Sequence, residues 1–175
     1  MYRPAWLLPA RSFTPHHPAH SSHLCRPYRG LYVVYQTENS NSDVTLFKLD
    51  LNGNYIWKQL LDKPLYKIDV ITSICCNDVH VYISYQTNNN ELVLYKVECI
   101  TGSYVQKIIE LPSVTTSEVT VSTCCDTLYV YMVFYINSVI YVKKISTDDL
   151  SDSWLLPITV KINAGNVYNK AFICK

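Results

Sequence analysis

Ser73-Ile74-Cys75-Cys76-Asn77-Asp78-Val79-His80-Val81-Tyr82 returns 49 residues further on as Ser122-Thr123-Cys124-Cys125-Asp126-Thr127-Leu128-Tyr129-Val130-Tyr131. The correspondence extends outward. Gly53-Asn54-Tyr55-Ile56-Trp57-Lys58 matches Gly102-Ser103-Tyr104-Val105-Gln106-Lys107 at the same spacing, and Tyr35-Gln36-Thr37 matches Tyr85-Gln86-Thr87 at a spacing of 50. The chain therefore holds three cycles, about 31–64, 65–112 and 113–157, and Pro64, Pro112 or Pro157 follows the last apolar run of each. Self-similarity at a fixed period marks an architecture whose units need their neighbours to bury apolar surface.

Each cycle reads as short strands. In the middle one these are 69–76, 79–86, 92–98 and 104–111, separated by Asn77-Asp78, Asn88-Asn89-Asn90 and Thr101-Gly102. Asn, Asp and Gly tolerate the positive φ of tight hairpins, so these separators are turn chemistry. Val79, Val81, Ile83 and Tyr85 alternate with His80, Tyr82 and Ser84, which is the period of a strand. In the third cycle both alternating sets are apolar: Leu128, Val130, Met132 and Phe134 on one face, Tyr129, Tyr131, Val133 and Tyr135 on the other.

A sheet apolar on both faces must be covered on both, so successive units are expected to stack face against face. Period, strand number and two-sided burial together predict an all-β, β-propeller-like array of three four-stranded antiparallel blades. The run Asp43 to Gln59 resembles the third and fourth strands of bacterial-type, quinoprotein-like β-propeller repeats, in which a D-x-x-L-x-K-L-D-x-x-G-N-x-x-W pattern is typical. The second cycle departs from it at Gln106, where the tryptophan should stand. The third lacks the turn glycine but has Trp154. The resemblance implies the fold and, in its enzymatic members, a quinone cofactor with calcium at the ring centre.

Counting strands gives three in the first cycle, four in each of the next two, and Val167–Cys174 as a last strand that could complete the first blade. Propellers close with about 4 to 8 blades. Three leave open faces, so the array is expected to be open, completed by oligomerisation, or part of a longer one.

Composition restricts function. Of 175 residues, 49% are hydrophobic and only 17% charged, which excludes a disordered chain. The 15 tyrosines among Val and Ile favour strands. A net charge of +1 leaves no electrostatic footprint for nucleic acid or an anionic membrane. All four arginines and five of eight prolines precede residue 31, whereas all lysines, asparagines and acidic residues follow residue 30. Residues 1–30 accordingly read as a disordered leader or foreign segment, and 31–175 as the repeat domain. Pro4 and Pro9 break the apolar run Ala5 to Leu8, so no secretory signal is recognised. The longest apolar run, Leu128 to Val142, falls short of the roughly 20 residues a spanning helix needs. Seven cysteines, an odd number, and the absence of an N-x-S/T sequon favour a reducing setting, cytoplasmic or virion-associated.

Several constellations carry chemistry. Cys75-Cys76 and Cys124-Cys125 could supply thiolates, but adjacent strand residues point to opposite faces and cannot easily chelate one ion, so buried packing is expected. His16, His17, His20, His23 and Cys25 lie in a proline-broken stretch with little preorganisation. His80 lacks a second repeat-region histidine, and Asp148, Asp149 and Asp152 miss the calcium-loop consensus. No catalytic residue, metal site or cofactor is assigned. Tyr35, Tyr85, Asn88, Asn89 and Tyr135 are the candidate partner-binding residues, through stacking and hydrogen bonding. The expected role is a non-catalytic interaction or structural scaffold whose partner is a protein or a second copy. A quinoprotein-like enzyme fragment and a carbohydrate-binding propeller built from identical short chains are the alternatives. The Asn-, Ile-, Lys- and Tyr-rich composition is also similar to propeller-repeat proteins of large DNA viruses, which adds a virion or host-interaction role.

Overall fold

The computed structural model describes residues 23–25, 30–36, 44–61, 73–87, 91–111, 119–136 and 139–158. These form twelve strands and no helix. The first sheet comprises β1 (His23–Cys25), β2 (Leu31–Gln36), β3 (Val44–Leu49) and β4 (Tyr55–Leu60). The second comprises β5 (Ser73–Cys76), β6 (His80–Gln86), β7 (Leu92–Glu98) and β8 (Tyr104–Ile109). The third comprises β9 (Thr120–Cys125), β10 (Tyr129–Ile136), β11 (Val139–Ser146) and β12 (Asp152–Ile158). Every sheet is antiparallel, and each strand pairs with its neighbour in sequence.

The turns follow from their side chains. Asn77 Oδ1 accepts the backbone N–H groups of Val79 and His80 at 3.0 and 2.8 Å, and Asp126 Oδ1 accepts those of Leu128 and Tyr129 at 2.7 Å each. A side-chain acceptor that caps the next two donors closes the hairpin without help from other strands. Between the third and fourth strands of the three sheets, Gly53, Gly102 and Leu150 hold φ of 84°, 77° and 59°. Glycine adopts this left-handed region freely, whereas a leucine there costs about 1–2 kcal/mol. Leu150 is only 6% exposed, and its burial in the core offsets that strain.

The sheets stack in sequence order. One core lies between the first and second: Tyr32, Val34, Val44 and Leu46 face Val81, Ile83, Tyr85, Val93, Tyr95 and Val97. The other lies between the second and third: Tyr82, Leu92, Leu94 and Ile109 face Val121, Val130, Met132, Phe134 and Ile145. The middle sheet is thus covered on both faces, as its two-sided apolar pattern demands. Strand β5 lies beside both β1 and β9, so the first strands of the three sheets run next to one another.

The strand boundaries differ from the sequence expectation at two edges. Val79 and Leu128 precede β6 and β10 in turns and are 55% and 61% exposed. The first sheet takes its fourth member, β1, from the N-terminal side of the seam at residue 30, pairing His23 with Val34 and Cys25 with Tyr32. That seam therefore does not bound the sheet. The expected closing strand at 167–174 lies outside the described residues.

Candidate functional site

A repeated pair organises the junctions between sheets. On the face turned to the following sheet, Tyr32 stands opposite Lys48 and Tyr82 opposite Lys96, and on the end face of the third sheet Tyr131 stands opposite Lys144 in the same way. Lys48 Nζ donates to the carbonyl of Cys99 at 2.6 Å, and Tyr32 donates its hydroxyl to the same oxygen at 3.0 Å. Burial raises the Tyr32 phenol above its ordinary pKa, with the neighbouring Cys99 thiol acting in the same direction. Lys96 Nζ donates to the carbonyls of Thr147 and Asp148. Lys48 and Lys96 thereby each fasten the last turn of the next sheet, whereas Lys144 lies over the Tyr129 ring of its own sheet.

Beside the second junction lies a cleft of about 520 Å³ lined by Val105, Gln106, Lys107 and residues 148–151. Lys107 Nζ donates to the Leu150 carbonyl at 2.6 Å and pairs with Asp152 at 2.7 Å. Asp152 also pairs with Lys143 at 2.9 Å. Burial opposes ionisation of Asp152, but its bonds to the two lysines outweigh burial and keep the carboxyl below its usual range. Asp149 is lowered to about 2 by the backbone N–H and hydroxyl of Ser151 and stays ionised. Because Lys107 is already engaged, the cleft offers Asp148, Asp149, Gln106 and an apolar wall at Val105, a set that suits a hydroxyl-bearing ligand better than an anion.

The sequence candidates are dispersed. Tyr85 is fully buried and stacks on Tyr95 at 5.4 Å, so it cannot meet a partner. Its side chain points to the preceding sheet because it shares the face of Val81 and Ile83. Tyr35 and Tyr135 are half-buried on opposite end faces of the stack. Asn88 and Asn89 lie outside the described residues. Asp148, Asp149 and Asp152 serve a cleft wall, a turn and an ion pair, and among the described residues no three His, Cys, Asp or Glu side chains gather as for a metal. His80 has its pKa lowered by burial and by Lys96.

The adjacent cysteines split between faces. Cys75 and Cys125 meet at the second junction, where a thiol hydrogen bond and burial hold Cys75 well above its ordinary pKa. Both are free thiols, as is the buried Cys99. Cys76 and Cys124 are instead each disulfide-bonded, so packing alone does not describe their role. The signal missed at the sequence level is the Tyr–Lys pair, legible as Lys48, Lys96 and Lys144 at a spacing of 48 once the repeat is extended.

No protein-family model matches the chain, and no curated protein matches it significantly. Among solved structures it is similar to the Bacillus megaterium YpeB C-terminal domain at 9% identity, over 79% of this chain and 89% of that one. The TM-score is 0.18, too low to carry an argument about fold or function.

Proposed function

We propose that the three sheets are blades of a propeller-like array of the quinoprotein-repeat type, and that the chain is a non-catalytic scaffold for a protein partner. The observation that carries this is the exposed apolar edge. The fourth strands of the first two sheets display Tyr55, Ile56 and Leu60 and then Tyr104, Val105 and Ile108, all 36–60% exposed, upon a platform fixed by buried cores. Clustered exposed apolar side chains on an edge strand mark interaction surfaces. A cytoplasmic or virion-associated setting belongs to the same proposal, and the disulfide bonding of Cys76 and Cys124 favours the virion over a reducing cytoplasm.

The test is a photo-crosslinkable residue at Tyr55 or Tyr104. Stoichiometric capture of one defined protein supports the scaffold. Uptake of one equivalent of pyrroloquinoline quinone with calcium, read by absorbance, overturns it in favour of an enzyme. The cleft beside Lys107 supports the carbohydrate alternative, and a glycan array with Asp149→Ala as control decides that case.

A further inference from the structure

The junction that joins successive sheets has its two unmatched halves at opposite ends of the stack. The donor half is Lys144, which stands opposite Tyr131 as Lys48 stands opposite Tyr32 and Lys96 opposite Tyr82, while the Tyr131 hydroxyl itself donates to Asp126 Oδ2 of its own sheet. Lys144 Nζ lies 3.5 Å from the centroid of the Tyr129 ring, where its predecessors reach a following sheet. The acceptor half is the β3–β4 turn. The N–H groups of Asp50, Glu98 and Ser146 close equivalent turns onto the carbonyls of Asn54, Ser103 and Ser151, so the next residues, Leu51, Cys99 and Thr147, correspond. Cys99 and Thr147 receive the lysines and are 5% and 4% exposed, whereas Leu51 is 57% exposed.

The flanking faces match the same scheme. Leu31, Val33 and Tyr35, half-buried on the end face of the first sheet, hold the positions that the other sheets bury as Val81, Ile83 and Tyr85 and as Val130, Met132 and Phe134, none more than 1% exposed. Tyr131, Val133 and Tyr135 on the end face of the third sheet are likewise half-buried.

We propose that a second copy of this chain occupies both end faces: the third sheet of each copy packs on the first sheet of the other, and Lys144 donates to the carbonyl of Leu51 of the partner subunit. Two such junctions close six sheets into a ring, within the about 4 to 8 blades of closed propellers. The inference rests on the propeller reading above and continues an interface the chain already makes twice within itself.

Light scattering on the full chain is expected to give twice the 20.2 kDa chain mass. Val33→Asp and Val133→Asp should each give a monomer alone and a pair when mixed, because each retains the face the other lacks. Lys144→Glu should raise the dissociation constant by roughly tenfold or more. A monomeric parent, with its faces covered by its own chain, overturns the pairing. So does an open polymer, or a pair indifferent to Lys144→Glu. Circular dichroism and the quinone titration separate the two proposals: a monomer with intact sheets and no cofactor leaves the scaffold standing, and a pair that binds quinone leaves only the ring.

Discussion

Tyr32 and Lys48 converge on a single acceptor, the carbonyl of Cys99, at 3.0 and 2.6 Å. One oxygen of the second sheet thus receives two donors from the first. Removing either donor leaves the oxygen satisfied by the other. Tyr32→Phe and Lys48→Met are each expected to cost about 1 kcal/mol, and the double variant clearly more than their sum, since it strands a buried carbonyl. Urea unfolding of the four proteins measures this; simple additivity would refute the shared-acceptor account.

Gly53 and Gly102 provide a controlled comparison. Both have positive φ, but a Cβ on Gly53 meets nothing within 4 Å, whereas one on Gly102 comes within 3.3 Å of the Trp57 ring. Gly53→Ala should cost the backbone penalty alone, about 1 kcal/mol. Gly102→Ala should cost more because the indole, packed between sheets, must move. Equal midpoints in thermal melts would mean that Trp57 yields freely.

Asp152 predicts the acid limb of stability. Its carboxyl titrates below the usual carboxylate range in the folded chain. The stabilisation is therefore fully present above the unfolded value, about 3.9, and is lost as the pH falls through the folded one. Asp149, lowered to about 2, acts in the same direction. Asp152→Asn should cost about 1–2 kcal/mol at neutral pH. It leaves the nearly buried Lys143 charge unpaired, while solvent at the 43% exposed aspartate screens part of the loss. Its melting temperature should also fall less than the parent's between pH 5 and pH 2; an equal fall assigns the acid limb to other groups.

Ser84 and Thr123 share a hydrogen bond buried between the second and third sheets. Ser84→Ala alone strands the threonine hydroxyl, so a cost of about 1–3 kcal/mol is expected. Adding Thr123→Val, which removes the stranded group while keeping the shape, should recover much of it. A double variant worse than the single one would show that the methyl group does not fit.

The meanders were legible in the sequence because their turns are capped locally: Asn77 and Asp126 announce hairpins whatever lies above or below the sheet. The stacking was legible because Val130 and Tyr131, neighbours on opposite faces, are both apolar. Which of two apolar faces meets the preceding sheet was not; Tyr85 is buried in either case, because the middle sheet is covered on both faces. Strand β1 has three residues, too few for periodicity, and it sits in a stretch whose Arg, Pro and His content differs from the rest. The split of each cysteine pair follows from strand alternation, but the disulfide bonding of Cys76 and Cys124 depends on tertiary proximity that spacing alone does not encode.

Because every described strand hydrogen-bonds to the one just before or after it in the chain, a meander closes its own backbone ladder, and only side chains, the Cys76 and Cys124 disulfides among them, tie it to the rest. Gene duplication or deletion can add or drop one such cassette without rethreading the others, and the new terminal cassette inherits the same pair of mating surfaces. A tandem fusion of two copies should accordingly fold as one series, the lysine spacing of 48 residues holding within each copy.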